Sequence, residues 1–280
     1  MTASHPAREP SNLGHLHGCS RSRTHRCNMK NLALLKAFKR HISPSRRAWI
    51  ERIQHPRLAH LPIRRLTPVS RRYGMERGQP VDRYYIEGFL DQHRQCIRGV
   101  CLEIRDNCYT LRFGGDAVTR SDVLDINTSN TNANICGDLR KLPHVTSDTY
   151  DCIILTQVLQ YIDQSPRAVC EAYRILKPRG TLLLTVPAIS ALDERDPSDL
   201  WRFTPNSARH LLEQHFPPAS VVVQPYGNLL TSVAMLMGLA QEDLRKVHLD
   251  YFDAAYSCVI AARATKPDVP AAPAPARDGS

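Results

Sequence analysis

Five short segments between Gly99 and Pro187 decide the fold of this chain: VCLEI (100–104), AVTRSDV (117–123), NICGDL (134–139), DCIILTQVL (151–159) and LKPRGTLLLTVP (176–187). Each is apolar or rich in β-branched residues, and turn or helix signals separate them. Strands in this alternation predict a parallel α/β sheet that binds its ligand at the carboxyl ends of the strands. Acidic residues close the first three segments, which suits a cofactor that carries a nucleoside.

Two carboxylates have the spacing that a nucleoside requires. Glu103 ends the first segment, and Asp122 lies 19 residues further on, where the second apolar run is expected to close. A carboxylate at the end of a second strand can accept hydrogen bonds from both hydroxyl groups of a ribose. Asp125 competes with Asp122 for this role, and either Glu103 or Asp122 can instead be an ordinary structural carboxylate.

Helix signals and further strands complete the pattern. PVDRYYIEGFLDQH (80–93) predicts a helix before the first strand, with Pro80 near its start and Asp82 in its first turn. SPRAVCEAYRIL (165–176) predicts a helix between the fourth and fifth strands, and Thr204-Pro205 opens another. SVVVQPY (220–226) and YSCVIAARA (256–264) predict two late strands.

Four motifs, taken in order, carry a family resemblance. They are GDLRKLP (137–143), YDCIILTQVLQYI (150–162), RILKPRGTLLLTVP (174–187) and WRFT (201–204). From about Arg71 to Lys266 the chain resembles the class I S-adenosylmethionine-dependent methyltransferases, and most of all the methyltransferase type 11-like group associated with glycan biosynthesis. The resemblance implies a Rossmann-like fold. Its mostly parallel, seven-stranded sheet has an antiparallel last strand and helices on both faces, and S-adenosylmethionine is the cofactor.

The resemblance also implies roles for particular residues. Glu103 would help to hold the cationic amino-acid part of the cofactor and the loop that follows the first strand. Asp138 would accept a hydrogen bond from the exocyclic amine of adenine, and Leu139 would pack on the ring. Thr156 and Gln157 would contact the cofactor and face the substrate, although Gln157 can instead cap the next helix.

The first glycine loop departs from the family pattern. The family has E-x-G followed by further small residues, whereas residues 104–109 contain no glycine and place Arg105 at the glycine position. Asn107 tolerates left-handed backbone geometry and Arg105 does not, because a non-glycine residue there costs about 1–2 kcal/mol. Arg105 is therefore either a ligand of the cofactor carboxylate or an obstacle to binding. Arg179 similarly replaces the first glycine of a KPGG turn, where Gly180 remains.

The acceptor side is less defined. Tyr84 and Tyr85 belong to the helix that often covers the cofactor in the family, Tyr161 stands where many relatives carry histidine, and Arg202 borders the acceptor pocket or pairs with a neighbour such as Asp199. The sequence identifies no catalytic base. The candidates are His144, Asp196, Asp199 and His210.

Charge separates the chain into a leader and a domain. Residues 1–75 hold 16 basic and 2 acidic residues, whereas the remainder holds 21 and 25. We expect a basic, largely disordered or partly helical leader (1–70), a methyltransferase domain (71–266) and a disordered Ala/Pro tail (267–280). The leader could contact anionic lipid, nucleic acid or an acidic partner, and residues 29–42 could form an amphipathic helix on a membrane surface.

The remaining composition favours a cytoplasmic enzyme. The cysteines show no regular pairing and mostly lie in apolar segments (Cys96, Cys101, Cys152, Cys170 and Cys258), and neither an export signal nor a transmembrane segment is visible. No histidine and cysteine spacing matches a common metal site.

We therefore expect methyl transfer from S-adenosylmethionine to a small-molecule or glycan acceptor, at a hydroxyl group. The alternative is a catalytically degenerate binding or scaffold protein, because the first loop lacks glycine. Nucleic acid is a poorer candidate acceptor, since no N/D-P-P-Y/F tetrapeptide follows the fourth strand. A nicotinamide-dependent enzyme would need G-x-G-x-x-G, which is missing here. The sequence leaves the acceptor, the methylated atom and the oligomeric state open.

Overall fold

A computed structural model of the chain describes residues 65–193 and 197–268. The predictions for the leader up to residue 64, for Asp196 and for the tail from residue 269 lie outside the described residues. The strands are β1 (Gly99–Ile104), β2 (Val118–Asp125), β3 (Ile135–Cys136), β4 (Tyr150–Thr156), β5 (Leu176–Pro187), β6 (Val221–Tyr226) and β7 (Val259–Thr265). The helices are α1 (Val81–Gln92), α2 (Ser165–Ile175), α3 (Pro205–Glu213), α4 (Leu229–Met237) and α5 (Lys246–Asp250).

The seven strands form one sheet in the order β3-β2-β1-β4-β5-β7-β6. β7 runs antiparallel to both β5 and β6, and all other neighbours pair in parallel. This confirms the predicted Rossmann-like α/β fold with its antiparallel β6/β7 pair. The chain leaves β1 toward β2 on one side and β4 toward β5 on the other, so a crevice forms where β1 and β4 lie side by side.

Helices cover both faces of the sheet, as predicted. α2 and α3 pack on one face, and α1, α4 and α5 pack on the other. In β4, Ile153 and Leu155 face the first layer, whereas Cys152 and Ile154 face the second. Burial on both faces explains why the central strand is an unbroken apolar run.

Local signals fix the helix ends. The side chain of Thr204 caps α3: its Oγ1 accepts a hydrogen bond from the Ser207 amide (3.1 Å), while the Ser207 hydroxyl accepts one from the Thr204 amide (2.9 Å). Asn228 caps α4 in the same manner, and Gly238 ends that helix in the left-handed conformation (φ 67°). The sequence analysis overlooked α4, although a capping asparagine and a terminal glycine are helix signals.

Two strand boundaries differ from the prediction. β2 continues through Asp122 and ends at Asp125, and β3 is limited to Ile135–Cys136, so Asp138 lies beyond it. The link from β1 to β2 contains only short helical turns over residues 110–117.

Candidate functional site

A cavity of about 500 Å³ lies at the carboxyl ends of the central strands. Its floor contains Glu103 from β1, Thr156 from β4 and Pro187 from β5. The first turn of α1 and the segment after β5 form its other walls. The predicted residues that it brings together are Glu103, Arg105, Thr156, Gln157, Tyr161 and Arg202.

Left-handed backbone conformations lie at two of the strand ends. Arg105, which replaces the expected glycine, has φ 72°, and Gln157 after β4 has φ 55°. The Arg105 amide donates to the Leu124 carbonyl (3.0 Å), and the Arg105 carbonyl accepts from Nδ2 of Asn130 (2.7 Å). The sequence analysis held that Asn107 tolerates this geometry and Arg105 does not, yet Arg105 is the residue that adopts it. An arginine thus holds the left-handed conformation at this position, with neighbouring hydrogen bonds to its amide and carbonyl groups.

Glu103 is buried beneath the first loop. Its Oε2 accepts from the Thr110 amide (2.8 Å) and its Oε1 from the Tyr109 amide (3.3 Å). Burial raises the pKa of Glu103 to about 7, although the amide hydrogen bonds lower it. The carboxyl group therefore organises the loop after β1 and exchanges a proton near neutral pH.

Asp82 is a residue of the cavity that sequence reasoning missed. It lies in the first turn of α1, and burial raises its pKa, against the lowering effects of the Arg83 charge and nearby backbone amides. Within the described residues, no lysine or arginine side chain forms a salt bridge with its carboxylate. Nothing in the sequence marked this residue out, because an acidic residue in a first helical turn is common for reasons of helix dipole alone.

Unpartnered polar atoms occur around the same cavity. Nε2 of Gln157, Oε1 of Gln160 and Nε of Arg202 are buried and have no hydrogen-bond partner in the described part of the chain. The rest of the Arg202 guanidinium pairs with Asp199 (2.6 and 2.9 Å), which confirms the salt bridge that the sequence left open. This pair lowers the pKa of Asp199. Buried polar atoms without partners are costly, and a bound polar ligand would satisfy them.

The end of β2 presents Asp125 in place of Asp122. Asp122 is buried within the strand, where its carboxylate accepts from Oη of Tyr150 (3.1 Å) and Nδ2 of Asn134 (2.9 Å). Asp125 is the last residue of β2 and accepts from Nδ2 of Asn130 (2.7 Å). The expectation that Asp122 closes the strand is wrong, because β2 continues to Asp125, which is half-buried whereas Asp122 is buried.

The segment predicted to hold adenine lies outside the cavity lining. Arg140 donates to both carboxylate oxygens of Asp138, and these hydrogen bonds lower the pKa of Asp138. Leu139 is buried in the core, only 6% exposed. The predicted contacts with adenine would therefore require these side chains to leave their present partners.

The other sequence candidates divide between two places. Tyr84 and Tyr85 line a separate groove of about 940 Å³ between α1, β6 and residues 249–252, whereas Tyr161 lies in the cavity at the strand ends. Of the base candidates, Asp199 lines that cavity, and His144 and His210 do not. This placement separates the predicted substrate-side tyrosines of α1 from the strand ends.

The described residues contain no cluster that could hold a metal ion and no helix long and apolar enough to cross a membrane. Cys101, Cys152 and Cys258 are buried as predicted, whereas Cys96 is half-buried and Cys170 is exposed.

Comparison with known proteins gives a family match for part of this domain. Residues 113–184 match the model of a methyltransferase domain. No match was found among curated proteins.

Solved structures with a similar chain path include three methyltransferases. A SAM-dependent methyltransferase from Archaeoglobus fulgidus has 14% identity, with 66% of this chain and 94% of that chain covered at a TM-score of 0.47. A putative sarcosine dimethylglycine methyltransferase from Galdieria sulphuraria has 14% identity, with 66% of this chain and 86% of that chain covered at a TM-score of 0.47. Phosphoethanolamine N-methyltransferase 2 from Haemonchus contortus, in complex with S-adenosyl-L-methionine, has 14% identity, with 61% of this chain and 49% of that chain covered at a TM-score of 0.43.

The matched segment runs from the loop after β1 to the middle of β5, and so includes β2, β3 and β4. The match, on a mostly parallel seven-stranded sheet with an antiparallel last strand, as predicted, supports a methyltransferase that uses S-adenosylmethionine as its cofactor.

Proposed function

We propose that this enzyme transfers a methyl group to a hydroxyl group of a small-molecule or glycan acceptor, in the cavity at the ends of β1, β4 and β5. The observation that carries the proposal is the set of unpartnered atoms at Gln157, Gln160 and Arg202, which combines two donors with one acceptor. A hydroxyl group both donates and accepts, so a polyhydroxyl acceptor matches this mixture. The resemblance of the sequence motifs to the methyltransferase type 11-like group associated with glycan biosynthesis makes sugars the first acceptors to test.

The residues present fit the cofactor at both of its ends. Asp125 closes β2 with a partly exposed carboxylate, and we assign to it the ribose contact first expected of Asp122. Ile126 follows directly and is 69% exposed, which offers an apolar surface to the purine ring. We assign the amino-acid group of the cofactor to the side of the cavity that holds Asp82 and the polar strand ends.

When bound, the cofactor supplies a methyl group that its sulfonium has already activated. The chain then has to bring the acceptor oxygen into line with that methyl group and to exclude water, and orientation of this kind can supply most of the rate enhancement. With the cofactor bound, the acceptor oxygen would take the methyl group, the sulfonium would leave as the neutral thioether, and the hydroxyl proton would pass to a carboxylate of the cavity, of which Asp199 is the base candidate that lines it. We assign the orientation of the hydroxyl group to Gln157 and Gln160, which line the cavity.

The experiment has two stages on the full-length protein. Calorimetric titration with S-adenosylhomocysteine first establishes the cofactor site, with Asp125→Ala as the variant that loses affinity. Radiolabelled S-adenosylmethionine is then incubated with a panel of monosaccharides, oligosaccharides, amines and thiols. Label transferred to sugars, and lost in Gln160→Leu, supports the proposal. Label transferred only to amines or thiols would overturn the hydroxyl assignment.

The degenerate alternative has one observation in its favour, the left-handed arginine at the glycine position. It predicts that a folded protein binds neither S-adenosylhomocysteine nor S-adenosylmethionine. The first titration therefore separates the two functions before any acceptor is known.

A further inference from the structure

The carboxylates of the cavity differ in which hydrogen bonds and salt bridges compensate their negative charge. Glu103 is held by two backbone amides, and Asp199 is held by a guanidinium at 2.6 Å. Asp82 is half-buried in the wall of the cavity and forms no salt bridge within the described residues, so it has only the amides of its own turn and the neighbouring charge of Arg83. A partly buried carboxylate without a salt bridge has lost part of its hydration, and the neighbouring charge of Arg83 compensates this loss only in part.

The arginines of the cavity likewise differ in whether their side chains have a hydrogen-bond or salt-bridge partner. Nη1 of Arg83 donates to Oη of Tyr109 (2.7 Å), and Arg202 is committed to Asp199. The side chain of Arg105 lines the cavity, is exposed, and forms no ion pair or hydrogen bond within residues 65–193 and 197–268. One cavity therefore contains an unpaired anion and an unpaired cation that do not pair with each other.

We propose that Asp82 and Arg105 form a clamp for the α-amino-acid group of the cofactor. The Asp82 carboxylate accepts from the α-ammonium, and the Arg105 guanidinium donates to the α-carboxylate. A zwitterionic group carries both charges a few ångströms apart, so it supplies the counter-ion that each side chain lacks. The clamp rests on the cofactor of the proposed function and is independent of its acceptor.

Two ligands isolate the contribution of the clamp. S-adenosylhomocysteine carries the amino-acid group, whereas 5′-methylthioadenosine keeps the adenosine and the thioether and lacks that group. We expect wild-type protein to bind S-adenosylhomocysteine more tightly. Asp82→Asn should weaken that affinity about 10- to 100-fold, as expected for a hydrogen bond to a charged group, and leave the affinity for 5′-methylthioadenosine within about twofold. Arg105→Asn should do the same.

Matched variants control for charge and for backbone. Asp91→Asn removes an exposed carboxylate from the far end of α1, and Arg179→Asn replaces another left-handed arginine (φ 64°) remote from the cavity. Both should bind the two ligands like wild type. Thermal unfolding of each variant shows whether it is folded, and asparagine suits both tests because it is nearly isosteric with aspartate and tolerates the left-handed conformation.

Each remaining outcome would overturn the clamp. Equal losses for both ligands in Asp82→Asn would make Asp82 a structural residue, and no loss for either would remove it from the site. Wild-type protein that binds both nucleosides equally would overturn the clamp while keeping the cofactor, whereas a folded wild type that binds neither would overturn both.

Discussion

Glu103 makes the stability of this domain depend on pH in a direction opposite to that of most carboxyl groups. Burial raises its pKa from 4.5 to about 7, so the folded state keeps a proton that the unfolded state has already released. The folded state binds more protons between these two values, and the free energy of unfolding therefore falls as pH rises through this window. A shift of this size corresponds to about 3 kcal/mol across the window.

Glu103→Gln removes this dependence. The amide side chain of the variant cannot accept from both the Tyr109 and Thr110 amides, so the variant has its own constant loss of stability, and only the change with pH is informative. We expect the wild-type free energy of unfolding, minus that of the variant, to decrease by about 3 kcal/mol from pH 4.5 to pH 7. Urea unfolding, followed by the fluorescence of Trp201 and by circular dichroism, measures this difference.

Glu171 provides a control of the opposite sign. Hydrogen bonds from Arg174 (2.7 and 3.0 Å) are the main cause of its lowered pKa. Its contribution is present above pH 4.5 and is lost as pH falls through the lowered pKa, so the difference between wild type and Glu171→Gln increases with pH in a more acidic range. Parallel pH curves for wild type and Glu103→Gln would refute the reasoning about Glu103.

The backbone and the β2 carboxylates lead to three further predictions. Arg179→Gly should raise the free energy of unfolding, measured by urea unfolding, by about 1 kcal/mol without changing ligand affinity. Arg105→Gly should raise the free energy of unfolding by a similar amount and weaken S-adenosylhomocysteine binding, measured by calorimetry. Tighter binding in Arg105→Gly would mean that the arginine obstructs the site. Asp122→Ala should cost about 2–3 kcal/mol of stability, since it leaves buried donors unpaired, while Asp125→Ala should lower affinity about tenfold with little effect on stability. Gly238→Ala should destabilise the domain, because the added Cβ would clash with the Ser70 carbonyl oxygen; an unchanged melting temperature would contradict this.

The strands of the fold could be predicted because the sequence of each segment shows by itself that the segment is buried. The run at residues 152–155 is apolar without interruption, as a strand covered on both faces requires, and the helices begin at recognisable caps. The end of β2 could not be placed this way. In the sequence, a carboxylate in the middle of a strand cannot be told from one at a strand end. The hydrogen bonds that allow Asp122 to be buried within β2 come from Tyr150 and Asn134, which are distant from it in sequence.

The site was predictable where a residue's role depends on its place in a strand. Glu103, Thr156 and Gln157 lie at the strand ends where the motifs put them. Asp82 was not predictable, because its burial depends on how α1 packs across the sheet. Tyr84 and Tyr85 were assigned to the acceptor side because the sequence does not show how α1 packs on the sheet. In the structure both residues line a different groove.

The arginine at the glycine position is a weaker argument for lost activity than the sequence alone suggests. The left-handed conformation costs about 1–2 kcal/mol, and this cost is met in the folded chain whether or not a ligand binds. A charged hydrogen bond from Arg105 to the cofactor would return about 1.5–3 kcal/mol in the complex only. The strain thus lowers the stability of the domain, while the side chain contributes to affinity, so the substitution can weaken the fold and strengthen binding at once. Stability and affinity changing in opposite directions in Arg105→Gly would establish this separation, and a parallel rise in both would refute it.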